Sequence, residues 1–145
     1  MGYRHPFPLR WNDNDQYGHM NNAVYYVAMD TAVNTWLIRQ AGMDPAGDVI
    51  GLARASSCEF LAPVSFPDEI EVDVAVGRLG RTSLTWDLAI LRAGAPDRGE
   101  PYATGSFTHV FVDQAARRPV PVPDRVRTAV EEHLGFTPPG PSAGP

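Results

Sequence analysis

The sequence predicts an α+β domain, with one antiparallel β-sheet wrapped around one long central α-helix. Three observations predict it. Residues 22–40 are apolar on nearly every side, as a helix enclosed by protein would be. Two later segments alternate apolar and polar residues with a period of two, as strands do. The order of elements is strand, helix, then four strands, with a closing helix.

A first strand is expected over residues 7–11. The long helix opens beside Asn21 and Asn22, both good capping residues, and Gly42 stands where a left-handed C-terminal cap falls. Inside it, only Asp30, Thr31, Asn34 and Thr35 make a polar line, and its length would be about 28 Å. Residues 50–60 and 102–112 read as strands. So does DEIEVDVAVGRL, where Ile70, Val72, Val74 and Val76 share a face, and TSLTWDLAIL, where Leu84, Trp86, Leu88 and Ile90 do. Gly77 and Gly80 suit a tight reversal across residues 77–81. A last amphipathic helix spans residues 124–134, with Asp124 at a capping position after Pro123.

The chain has 145 residues, 43% of them hydrophobic and 20% charged, which suits a single domain with its own core, expected over residues 1–136. The nine residues from Thr137, TPPGPSAGP, are expected to form a disordered tail. Cys58 is the only cysteine, so no internal disulfide forms, and a reducing cytoplasm is the expected setting. A formal net charge of -5, with every basic residue an arginine, speaks against nucleic acid as a partner. The start of the chain does not read as a secretory signal, and no run approaches the ~20 apolar residues of a membrane span.

The chemically informative stretch is RWNDNDQYGHMNNAVY, residues 10–25. Asp13, Asp15, Gly18 and His19 fall within seven residues, directly before the buried helix. A helix start offers unpaired N–H groups and a partial positive charge, and so stabilises an oxyanion. A carboxylate beside it supplies a base or a nucleophile. Gly18 would let the backbone approach a ligand closely. The same residues also suit plain turn and capping roles, the commonest work of Asp before a helix. A calcium loop counted from Asp13 fails, because its fifth and twelfth positions are Tyr17 and Val24. No histidine spacing suggests zinc, so neither metal nor cofactor is expected, and Cys58 reads as a core residue.

DNDQYGHMNNAVYY resembles the DxDxxGHxNNxxY signature of the 4-hydroxybenzoyl-CoA thioesterase family, within the hotdog-fold superfamily. The resemblance runs from about Phe7 to Val112 and takes in SSCEFLAPVSFPDEIEV and RLGRTSL. It implies a hotdog fold, an acyl-CoA or acyl-carrier-protein thioester as substrate, and a homodimer or a homotetramer with sites shared between subunits. It also implies roles. Asp15 would be the catalytic carboxylate, Asp13 would organise the loop beside the substrate, and the amide near Asn22 would polarise the thioester carbonyl. His19 would assist, while Gly18, Asn21 and Tyr25 would border the substrate. Arg78 and Arg81 would hold coenzyme A phosphates. Two other readings compete with hydrolysis. One is an enoyl-thioester hydratase or dehydratase using Asp15 with His19; the other is a non-catalytic acyl-thioester binding module.

Overall fold

The computed structural model describes residues 2–137; of the expected tail, all but Thr137 lies outside the described residues. The elements are β1 (Tyr3–Phe7), a short 3-10 turn (Trp11–Asp13), α1 (Asn22–Arg39), β2 (Val49–Phe60), β3 (Ile70–Leu79), β4 (Ser83–Arg92), β5 (Ala103–Asp113) and α2 (Asp124–Leu134). The five strands form one sheet in the order β1-β3-β4-β5-β2, and every neighbouring pair is antiparallel. The architecture is therefore α+β.

Helix α1 forms where its caps allow. The Asn21 carboxamide oxygen accepts the Ala23 N–H at 2.9 Å, satisfying one of the free donors of the first turn. At the other end Gly42 takes φ 68°, and the Met43 N–H closes on the Leu37 carbonyl at 2.9 Å. One side of α1 is buried: Tyr25, Ala28, Met29, Ala32, Val33, Trp36 and Leu37 join the core with Trp86, Leu88, Ile90, Phe107 and Phe111 of the sheet. Trp36 and Trp86 meet edge to face at 5.4 Å. Fully burying a side chain such as Met29 or Leu37 contributes about 1.5–3 kcal/mol.

The opposite side of α1 corrects the expectation of a helix enclosed all round. Val27 and Ile38 are 53% and 45% exposed. A single sheet covers only one side of a helix, so it packs against α1 and does not surround it. The helix has 18 residues.

The strand pattern follows the sequence in β3, where Ile70, Val72 and Val74 are buried and alternate with half-buried Glu71 and Asp73, and in β4 as far as Leu88. Beyond it Ala89 and Leu91 are buried as well as Ile90, so that end of β4 is covered on both faces. Two details differ. Gly77 lies inside β3, at a bulge between Val76 and Arg78, and the reversal is made by residues 80–82 with the Gly80 N–H on the Ser83 carbonyl. The first strand is Tyr3–Phe7, not 7–11, because residues 11–13 coil into the 3-10 turn. Asp124 stands at the first helical position of α2, after Pro123, where its charge suits the helix dipole. Val126, Ala129 and Val130 bring α2 into the core. His109 is buried on β5 and accepts the Trp86 indole N–H through Nδ1 at 2.9 Å; burial pushes its pKa down, so it is held neutral.

Gly105 in β5 packs closely under α1 and against β2. A Cβ there would meet the Met29 side chain, 2.7 Å from Cε, and the Ser57 backbone carbonyl at 3.0 Å. The thioether can swing away, but the β2 carbonyl cannot. Gly105→Ala is expected to lower the unfolding free energy by about 1–3 kcal/mol, read as a lower urea midpoint with an unchanged slope.

Candidate active site

The chemistry-bearing stretch folds into a small closed loop ahead of α1. Asn14 and Met20 form an isolated antiparallel bridge. Inside it the Asp15 N–H donates to the His19 carbonyl at 2.9 Å, and the Gly18 N–H donates to the Asp15 carbonyl at 3.1 Å. Gly18 takes φ 81°, a left-handed conformation that side chains resist. Open space surrounds the position of its missing Cβ, so it is the turn, not a close approach, that calls for glycine.

Asp13 and Asp15 face different environments. Asp13 is buried, and its carboxylate accepts the Arg10 N–H at 2.8 Å and the Arg10 guanidinium at 3.0 Å. Burial opposes its charge, but the bonds from Arg10 and the guanidinium charge outweigh that and hold its pKa below the usual value. Asp13 does not line the cleft. Asp15 does, half-buried, with Oδ1 accepting the Tyr17 N–H at 2.8 Å. Its Oδ2 has no partner among the described residues.

The cleft has a volume of about 380 Å³, and Asp15, Tyr17, His19, Asn22, Tyr25 and Phe60 are among its walls. Asn22 is the first residue of α1, so its N–H belongs to the set that has no partner inside a helix. Asn21 turns its side chain to the helix cap and does not line the cleft. Tyr25 is buried, and its ring meets Phe60 edge to face at 4.9 Å. Burial pushes the Tyr25 phenol above its usual pKa, with the Val64 backbone pulling the other way. Cys58 is half-buried on β2, and burial pushes its thiol up, which keeps it protonated. A second cleft of similar volume, between β1 and residues 66–71, has carboxylates but neither an imidazole nor a helix start.

Arg78 and Arg81 are not brought to this cleft within one protomer. The register Phe60–Ala103–Ile90–Val72 marks the cleft end of the sheet, and Arg78, paired with Thr85, lies toward the other. There the Arg81 carbonyl accepts the Val122 N–H at 2.8 Å and the Arg127 guanidinium at 3.2 Å. Sequence reasoning missed the residues that carry the loop. Val64 accepts the Met20 N–H at 2.6 Å, and beside it Ser65 accepts a hydrogen bond from the side chain of Asn14 in the loop. Val64 and Ser65 lie in the stretch SSCEFLAPVSFPDEIEV and Asn14 in DNDQYGHMNNAVYY, and nothing in either stretch marked these residues out. Among the described residues no three His, Cys, Asp or Glu side chains gather as a metal-holding group, and no helix is long and apolar enough to cross a membrane.

Over residues 9–130 the chain matches the thioesterase-like superfamily. The chain belongs to that superfamily. It is a thioester hydrolase of the hotdog-fold kind. None of the curated proteins matches it. Among solved structures, it is similar to the PA5185 protein of Pseudomonas aeruginosa, with 45% identity, 88% of each chain covered and a TM-score of 0.81. It is also similar to a Thermus thermophilus thioesterase solved with coenzyme A and zinc, with 27% identity, 92% of this chain and 95% of that one covered, and a TM-score of 0.74. A 1,4-dihydroxy-2-naphthoyl-CoA thioesterase from Synechocystis shares the fold, at 18% identity and a TM-score of 0.79, over 94% of this chain and 100% of that one.

The Asp13 pKa carries a pH dependence. A carboxylate whose pKa is depressed by folding stabilises the protein in full above its unfolded value, and that contribution is lost as pH falls through the folded one. Below about pH 4 the Asp13→Asn variant is therefore expected to lose stability less steeply than the parent in a series of urea melts.

Proposed function

We propose that this thioesterase hydrolyses acyl-CoA thioesters, with Asp15 as general base or nucleophile and the start of α1 as the oxyanion site. One observation carries the reading: Asp15, with an uncommitted carboxylate oxygen, lines the same cleft as Asn22, the first residue of α1. A thioester has less resonance to lose than an amide, so placing a nucleophile and holding one oxyanion is most of the task. The Asn22 N–H receives the carbonyl oxygen as it becomes an oxyanion, a contribution typically worth ~3 kcal/mol. Asp15 takes the proton of an attacking water, or attacks the carbonyl itself to give an anhydride that water then opens. Both routes consume one water and release a carboxylic acid and a thiol. His19, exposed at the cleft wall, assists proton transfer to the departing thiolate. Tyr25 borders the acyl group, and the Thermus thermophilus relative solved with coenzyme A supports CoA as the carrier.

The functional unit in this reading is a homodimer. β2 ends the sheet with an unpaired edge, and residues 52–57 are exposed on both faces. Val27, Ile38, Leu52 and Phe60 are large apolar side chains left in solvent on the same protomer. Antiparallel pairing of two β2 strands about a two-fold axis reverses the sheet ends. It turns the end bearing Arg78 and Arg81 toward the side on which the partner's cleft opens, which supports their role on coenzyme A phosphates. The lone cysteine suits a cytoplasmic setting.

Acetyl-, hexanoyl-, palmitoyl- and benzoyl-CoA, offered in turn, are expected to release free thiol with at least one of them. Asp15→Asn is expected to lower kcat by about 10²–10⁴-fold; unchanged turnover removes Asp15 from the reaction. Light scattering is expected to give at least twice the 15.8 kDa chain mass, and a stable monomer contradicts the shared site.

A further inference from the structure

Asp15 is a loop residue, and a base or nucleophile on a loop works only if the loop is held. Two contacts along the backbone do part of this: the Met20 N–H on the Val64 carbonyl, and the Asn21 N–H on the Asp13 carbonyl at 2.8 Å. Both lie on the helix side of the loop. On the other side, side chains take over. The Asn14 carboxamide uses both of its ends, donating through Nδ2 to Ser65 Oγ at 3.1 Å and accepting the Phe66 N–H on Oδ1 at 3.0 Å. Ser65 Oγ in turn donates to the Gly18 carbonyl at 2.9 Å. The residue immediately before Asp15 and the carbonyl three residues after it are thus joined through one hydroxyl.

That hydroxyl is itself held in place. The Ser65 N–H donates to the Asp68 carboxylate at 3.0 Å, and the Asp68 N–H returns to the Ser65 carbonyl at 2.8 Å, a closed turn just ahead of β3. The chain running from Asn14 through Ser65 to Gly18 therefore connects the reactive loop to the sheet without touching the cleft. Neither Asn14 nor Ser65 lines it.

We infer that Asn14 and Ser65 are positioning residues, which hold the Asp15 carboxylate at a fixed place relative to the first amide of α1. This rests on the reading of Asp15 as the reacting carboxylate. The same hydrogen bonds would cost a purely structural loop only stability; here the loss falls on the reaction, because an error of about 1 Å between nucleophile and oxyanion site costs up to about 10²-fold in rate. Asparagine suits position 14 because its side chain both donates and accepts. Serine suits position 65 because one small hydroxyl can accept from one partner and donate to the next.

The full chain is assayed with whichever of the four acyl-CoA substrates the parent turns over fastest, reading thiol release. Ser65→Ala and Asn14→Ala are each expected to lower kcat about tenfold or more while KM stays within about twofold. Ser65→Thr, which keeps the hydroxyl, is expected to recover most of the lost kcat. If Ser65 acts through Asp15, adding Ser65→Ala to Asp15→Asn slows the residual reaction no further, whereas independent effects multiply. Should Ser65→Ala fail to fold, as judged by circular dichroism, Asn14→Ala and its pairing with Asp15→Asn carry the same expectations. Full kcat in the folded single variants beside an inactive Asp15→Asn overturns the positioning role alone. So does a multiplied loss in the double variants. An active Asp15→Asn instead overturns the reading of the site, and the positioning role with it.

Discussion

The Met20 N–H and the Val64 carbonyl meet at 2.6 Å, and the candidate site is built around that join. On one side of it lies the loop with Asp15 and His19; on the other lies the segment that leads into β3. Met20 is also buried in the core, two residues ahead of the first turn of α1. One backbone hydrogen bond thereby sets the loop, the helix start and the sheet in a common frame. Electrostatic stabilisation of a forming oxyanion needs donors that are already in place, because reorienting them during the reaction would consume the advantage. A helix start anchored at its entrance and packed along one flank meets that requirement.

The anchoring extends through the core. The Met29 side chain of α1 packs against Gly105 of the sheet, and Trp36 packs edge to face on Trp86. These contacts lie on one side of the helix and not on the other, where Val27 and Ile38 are exposed. An isolated domain would gain solubility from polar residues at those positions; the chain keeps them apolar.

The two carboxylates of the motif show how environment divides equal chemistry. Asp13 is buried, with its oxygens committed to Arg10, and acts as part of the scaffold of the loop. Asp15, two residues on, commits one oxygen to the Tyr17 amide and turns toward the cleft. Spacing alone does not distinguish them. The difference arises because the 3-10 turn at Trp11–Asp13 rotates the first side chain inward while the bridge between Asn14 and Met20 carries the second to the rim.

Local pattern determined much of this protein. The period-two alternation marked β3 and β4, the asparagines and Gly42 bracketed α1, and the clustering of Asp15, Gly18 and His19 before a helix singled out the candidate loop. Each of these signals acts over a few residues, so each is visible in a linear chain. Tertiary structure decided what depends on residues far apart: that Gly77 makes a bulge and not a turn, that only one side of α1 is covered, and that Arg78 and Arg81 stand at the opposite end of the sheet from the cleft. It also decided that Asn14 is bonded to Ser65, 51 residues away. A hydrogen bond between such distant positions leaves no periodicity behind, because nothing in either neighbourhood requires the other until the sheet has formed.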